Sequence, residues 1–189
     1  MTVSNTQLHP GMPWQEYVRI KAHSFSGLKN PGVHITPTPG MMLGTRVDNY
    51  LFEPHLYDGT DYKIVKACAS AVRSVIGNIR PQVQLAVTAN FEHSGYIMPV
   101  RGRLDMRVPG LVIDMKVSSL DAVKAIQHFR YDWQLGGYAE MTRDCRALII
   151  SVSPKTFKTT ILNVPYKLDW WEHQIISHGA NSLSKVRIN

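Results

Sequence analysis

Between residues 61 and 79, Ile64, Ala67, Cys68, Ala71, Val72, Val75, Ile76 and Ile79 recur at the i, i+3, i+4, i+7 spacing of one helix face. Asn78 and Pro81 mark its end. The period then falls to two. Val83, Leu85, Val87, Ala89 and Phe91 alternate with Gln82, Gln84 and Thr88, which predicts a strand. "GYIMPVRGRLDMRV" predicts a second strand, broken by Pro99 and Gly102, and "LVIDMKV" a third. Residues 120–142 read as helix in two pieces, parted near Tyr131. "RALIISVS" and "FKTTILNV" predict two more strands, and a final helix over 169–185 carries Trp170, Trp171, Ile175, Ile176 and Leu183. Upstream, residues 1–12 read as a loose arm and Pro13 to Lys21 as a short helix. "NPGVHITPTPG" reads as a loop, followed by a helix from Met41 to Glu53 that Pro54 stops. The central order is helix, three strands, helix, strand, which is an α/β arrangement with a mixed sheet flanked by helices.

A chain of 189 residues suffices for one domain with a real core. No apolar run approaches the ~18 residues of a membrane span, so no membrane partner is expected. The opening "MTVSNTQLHPGMPW" lacks the layout of a signal peptide, which predicts a cytoplasmic protein with Cys68 and Cys145 reduced. Two cysteines are too few for structural zinc, and His23, His34, His55, His93, His128, His173 and His178 show no H-x-x-x-H spacing. A net charge of +7 fits a nucleic-acid partner, but it also fits many basic proteins that have none.

The chemistry sits in strands that ought to be purely apolar. Residues two apart share a face, so Asp114 and Lys116 point one way and Ile113, Met115 and Val117 the other. Pro109-Gly110 favours a tight turn. If Val108 pairs with Leu111, Asp105 falls opposite Asp114. Pro-Gly suits a type II turn and hairpins prefer the primed types, but a shift of two residues still leaves the carboxylates close. Like charges facing across a ladder destabilise it. Either a divalent metal such as magnesium or manganese neutralises them, or Arg101, Arg103, Arg107 and Lys116 form an ion-pair cluster around them.

Asp105, then "IDMK" with Asp114 and Lys116, then "QLGGY" with Gln134 and Tyr138, resembles the PD-(D/E)XK nuclease superfamily. The likeness is to its RecB-like branch, and within it to RecE-type exonucleases of phages and prophages. Ser24-Phe25-Ser26 matches their early S-x-S segment, and "LGTRVDNYLFEP" matches their "G-T-x-x-H-x-x-L-x-x-P" helix. The resemblance runs from about residue 24 to 165, with residues 1–23 as an N-terminal arm and helix and 166–189 as a C-terminal helix. It implies the αβββαβ restriction-endonuclease-like core, a nuclease domain and a magnesium- or manganese-dependent DNA exonuclease of recombination. The alternatives are an endonuclease of the same fold in repair or restriction, or a DNA-binding relative without catalysis. The implied partners are DNA, in particular duplex ends, a single-strand annealing protein, and further copies of the chain in a ring. The implied setting is the cytoplasm of a bacterial or phage-infected cell.

By the same resemblance, Asp105, Asp114 and the backbone carbonyl of Met115 hold the metal, and Lys116 orients or deprotonates the attacking water or neutralises charge. Gln134 and Tyr138, four apart on one helix face, border the site or brace the lysine. Gly136-Gly137 allows either a close DNA strand or a tight helix contact. Where the family has histidine this chain has Asp48, which is either a replacement ligand or a surface residue. Arg101, Arg103, Ser118, Lys124 and Arg130 are the candidate DNA contacts, with Lys155 and Lys158 as further phosphate partners. Glu92 is a further possible ligand, and Trp170 and Trp171 read as core or subunit contacts.

Overall fold

The computed structural model describes residues 1–31, 36–165 and 167–186, with 179–186 described by backbone alone. His34 and the side chain of Leu183 therefore lie outside the described residues. Strand β1 (Thr2–His9) leads into helices α1 (Trp14–Tyr17), α2 (Phe25–Lys29), α3 (Pro39–Phe52) and α4 (Tyr62–Ile76). Then come β2 (Gln82–His93), β3 (Tyr96–Val108), β4 (Leu111–Val117), α5 (Ala122–Phe129), α6 (Tyr131–Thr142), β5 (Arg146–Val152), β6 (Thr159–Asn163) and α7 (Asp169–Val186). The six strands form one sheet in sequence order. Only β4 and β5 run parallel, which demands a crossover, and α5 with α6 supplies it. No helix among the described residues is long and apolar enough to cross a membrane.

Each face of the sheet carries its own core. Leu85, Val87, Phe91, Met98, Val100 and Leu104 pack under Leu135, Tyr138 and Met141 of α6 and Trp171 of α7. On the other face Met106, Ile113, Met115, Ile150 and Val152 pack under Val47 of α3 and Val65, Cys68, Ala69 and Val72 of α4. Leu104 and Met106 belong to different cores, although residues two apart in a strand normally share a face. The switch falls at Asp105, beside the left-handed Gln84 of the neighbouring strand (φ 48°).

Several expectations need correction. Residues 2–9 are not a loose arm: they pair with β2 from Thr2↔Glu92 to His9↔Ala86, with Asn5 left-handed (φ 52°) at an irregularity between Ser4 and Gln7. Val3 packs against the core, but with Leu8 the only other apolar residue of the strand no period of two shows in the sequence. The helix predicted from Pro13 to Lys21 is one turn long. Helix α3 begins at Pro39, not Met41, with Pro at its first turn, where the missing N–H costs nothing, and with Thr38 capping the amide of Met41. The buried stripe of α4 is centred on Val65, Cys68, Ala69 and Val72, while Ile64 and Ile79 are exposed. Ile79 lies past the helix, which Gly77 ends at φ 57°.

Pro99 and Gly102 do not break β3. The Arg101 N–H donates to the His23 carbonyl, away from β2, so the donor Pro99 lacks two residues earlier also belongs on that side. Gly102 leaves room for the Tyr138 ring: a Cβ there would stand 2.6 Å from Cε1. Gly137 does the same for Trp171, whose indole ring would be 2.6 Å from a Cβ and whose Nε1 donates to the Trp133 carbonyl at 2.7 Å. Gly137 therefore serves a tight contact between α6 and α7.

Gly137→Ala is expected to lower stability by about 1–3 kcal/mol through overpacking against Trp171, even though alanine is the better helix former. Urea unfolding of the two proteins measures this, and an unchanged or raised midpoint would count against the contact.

Candidate functional site

Strands β3 and β4 begin as the predicted hairpin, with Val108↔Leu111, Arg107↔Val112 and Met106↔Ile113. The ladder then stops, so Asp105 and Asp114 do not form the cross-strand pair the register extrapolates to. The strands fork there. The Asp105 carboxylate spans the fork and accepts a hydrogen bond from the Met115 N–H at 2.8 Å. Asp114, only 4% exposed, is ion-paired with the ammonium of Lys116. The Lys116 Nζ also lies over the Tyr131 ring, 4.8 Å from its centroid. From α3, Asp48 reaches the same region, and Gln84 Nε2 donates to both its carboxylate oxygens at 2.9 Å. Asp48, Asp105, Met115, Lys116, Ser118 and Tyr131 line one cavity of about 620 Å³.

Burial pushes Asp105 well above the usual carboxylate range, and the Asp114 charge beside it adds to the rise. Asp48 is raised to about 6, chiefly by burial, with Lys116 opposing and Glu53 and Asp114 adding. Burial alone would lower Lys116, but Asp114 and Asp105 outweigh it and raise the lysine. The two aspartates thus hold Lys116 in its ammonium form. Burial raises Tyr131, which Lys116 offsets in part.

Of the four cations expected around the aspartates, only Lys116 pairs with one. Arg101 donates to the carbonyls of Tyr17 and Ile20 at 2.8 and 3.0 Å and lies over the Tyr17 ring. Arg103 bonds Glu53 at 2.7 Å and lies over Trp14. Arg107 clamps Asp144, which also accepts from the Gly110 N–H and so pins the turn. These three arginines are turned to internal partners.

Ser118 is in the cavity wall, its hydroxyl accepting from the Leu120 N–H. Lys124 is exposed on the first turn of α5, as are Lys155 and Lys158 beyond β5. Arg130 lies against the Trp133 ring and pairs with Asp132 at 3.4 Å. Gln134 donates to the Tyr138 hydroxyl at 3.1 Å, and Tyr138 is buried in the core behind the site. Glu92 accepts from Ser4 and lines a different cavity with Met1 and Tyr96. Trp171 is core, and Trp170 stacks on Trp133.

Two residues enter the site that sequence reasoning passed over. Tyr131 lies three and seven residues before Gln134 and Tyr138, on the same helix face, and that spacing could have placed it there. Gln84 reads as an outward polar residue of an alternating strand. Nothing in the sequence signals its left-handed backbone, which costs a non-glycine residue ~1–3 kcal/mol.

Among the described residues no three His, Cys, Asp or Glu side chains are grouped as a metal-holding set. The donors facing the cavity are the carboxylates of Asp48 and Asp105, with the Met115 backbone nearby. Their chemistry fits magnesium or manganese. Such ions take hard oxygen ligands, commonly bind through one or two carboxylates, and keep several waters. Asp114, held by Lys116, stands behind these donors as further negative charge.

No protein-family model matches the sequence, and no curated protein does. Solved structures that resemble the chain include two. One is a phage-related exonuclease from Haemophilus somnus 129PT, at 16% identity and a TM-score of 0.47, covering 85% of this chain and 94% of that one. The other is SSO0001, at 14% identity and a TM-score of 0.44, covering 87% of this chain and 83% of that one.

The raised carboxylates make stability depend on pH. The unfolded chain releases the Asp48 proton near pH 4, whereas the folded chain keeps it to about pH 6. The stability from this group is full below about pH 4 and is lost as pH rises through about 6. Asp105, also raised, acts in the same direction. In EDTA, Asp48→Asn is expected to flatten the fall in stability between about pH 4 and 6. Urea melts across that range test it, and parallel curves for parent and variant would contradict the burial of this carboxylate.

Proposed function

We propose that this chain is a divalent-metal-dependent DNA exonuclease of the PD-(D/E)XK kind, cleaving phosphodiester bonds in phage or prophage recombination. The reading is carried by one observation: Asp48, Asp105 and Lys116 line a single cavity in front of the buried Asp114. The order α4, β2, β3, β4, α5–α6, β5 supports it, being the helix, three strands, helix, strand sequence of that superfamily's core.

A magnesium or manganese ion, when bound, supplies a water of lowered pKa and positive charge for the phosphate. Asp48, Asp105 and the Met115 carbonyl are the groups that would hold it. The Met115 N–H fixes the Asp105 carboxylate at the fork. Asp114 keeps Lys116 protonated and aimed, and the Tyr131 ring confines its ammonium. From there Lys116 orients the attacking water and offsets charge developing on the phosphate. Gln134 and Tyr138 brace α6, and with it Tyr131, against β3. Ser118, on the cavity wall, and the exposed Lys124 are the residues best placed for backbone phosphates. Arg101 and Arg103 hold the framework instead.

A second reading, a DNA-binding relative without catalysis, is favoured by the Gln84 amide occupying both Asp48 oxygens. End-labelled linear and closed circular duplex, incubated with magnesium, manganese or EDTA, separates the two. Degradation of the linear form with metal and not in EDTA is expected. Binding of duplex without cleavage under any condition would leave the second reading, and cutting of the circle would make the protein an endonuclease.

Lys116→Met is expected to lower turnover by about two to three orders of magnitude. It also strands Asp114 as a buried unpaired charge, at a cost of about 3 kcal/mol in stability. Lys116→Met/Asp114→Asn should recover that stability and remain inactive. Equal losses in single and double variants would show that the ion pair is not what holds Asp114, and normal turnover in the correctly folded single variant would remove Lys116 from the chemistry.

A further inference from the structure

Gln84 is placed by a break in its own strand. Its backbone is left-handed at φ 48°, a conformation glutamine rarely adopts. It has no ladder partner on β3, although Val83↔Met106 and Leu85↔Leu104 flank it and place it level with Asp105. A regular strand residue here would continue the alternation of β2. Instead the residue is only 8% exposed, and its amide nitrogen is 2.9 Å from both oxygens of Asp48. The fold thus spends a strained backbone on holding one neutral carboxamide, level with Asp105 on the next strand, against the Asp48 carboxylate, and both of those carboxylates face a common cavity.

A carboxamide is two-faced. Its NH2 donates to an anion, and its carbonyl oxygen is an ordinary ligand for a hard cation. Turning the terminal torsion by half a turn exchanges the two with little change of shape, because that torsion is broad and roughly two-fold. With no cation between them, the NH2 end must face Asp48, since the carbonyl would repel it. With a cation beside Asp48 and Asp105, the carbonyl end is the favourable one. We propose that Gln84 is a ligand of the divalent cation, completing with Asp48 and Asp105 an oxygen site, and that its NH2 holds Asp48 in place when the cation is away. This rests on the reading of the cavity as a divalent-metal site, and it adds a third side-chain ligand, beside Asp48 and Asp105, from a strand that the D–D-x-K pattern does not include.

The alternative role for Gln84 is purely positional, through its hydrogen bonds to Asp48, and two substitutions separate the roles. Gln84→Met keeps the length and removes both the donor and the carbonyl. Gln84→Glu removes the donor, repels Asp48, and supplies a stronger oxygen ligand. Calorimetric titration of manganese into the full-length parent and both variants, with thermal melts in EDTA and in manganese, reads binding without reference to cleavage. A ligand role predicts an affinity about tenfold to a hundredfold weaker in Gln84→Met. It predicts an affinity equal to or tighter than the parent's in Gln84→Glu, with a lower melting temperature in EDTA and a larger rise on adding manganese. If Gln84→Glu binds manganese more weakly than Gln84→Met, Gln84 only positions Asp48 and the proposal falls. Unchanged affinity in Gln84→Met also overturns it while leaving the metal site standing. If the parent itself binds no manganese or magnesium, the reading of the cavity as a metal site fails, and this inference with it.

Discussion

One hydrogen bond organises the centre of the molecule: the Asp105 carboxylate accepting from the Met115 N–H where β3 and β4 part. Beyond Met106↔Ile113 the backbone amide of β4 would face β3 without a partner. A buried amide left unpaired is costly, and so is a buried carboxylate. Each answers the other's need only while the fork is open. The open fork exposes Lys116 to the cavity and leaves space for Asp48 to approach from α3. The site follows from how the sheet is split, and the like charges are tolerated because Lys116 pairs with Asp114 and the Met115 N–H donates to Asp105.

The same place is where the sheet changes sides. Leu104 packs under α6 and α7, and Met106 packs under α3 and α4. Asp105 stands between two cores and belongs to neither, level with a strand residue whose backbone is also irregular. Asp105 and Asp48 are each half-buried, open to water only through the cavity they line. That accounts for the upward shift of Asp105 and Asp48 by burial. Lys116, ion-paired with Asp114, is the ammonium at this place, while the neighbouring arginines of β3 are committed to Glu53 and to the backbone of residues 17 and 20.

Much of this was legible in the sequence. The change from a 3.6 to a 2 period located α4 and β2, and the Pro109-Gly110 turn fixed the three hairpin pairs that exist. The shared face of Asp114 and Lys116 followed from strand alternation, and their ion pair is the result. What sequence could not show has physical reasons. Strand β1 is an edge strand held by its ladder with β2 and by Val3 on the core, too few apolar residues to leave a hydrophobic period. The extrapolated Asp105–Asp114 pairing failed because ladder registers are read as continuous, and no rule of periodicity announces a fork. Arg101 and Arg103 look like phosphate ligands in a basic chain, but their partners, the carbonyls of Tyr17 and Ile20 and the Glu53 carboxylate, are brought near by tertiary packing alone. Gln84 was hidden for the same reason, since a left-handed residue inside an alternating strand has no sequence mark.

Helix α6 is fixed at one point by a missing side chain. The Tyr138 ring occupies the space that a Cβ at Gly102 would fill, and Tyr131, two turns earlier, lies over Lys116. Two turns of helix span about 10 Å, so α6 works as a rigid lever with its bearing in the core and its tip at the cavity. Any side chain at position 102 would lift the bearing and carry the tip with it. The fine adjustment of the lysine is therefore set by a residue that has no side chain and lies on the opposite side of the sheet from α3 and α4.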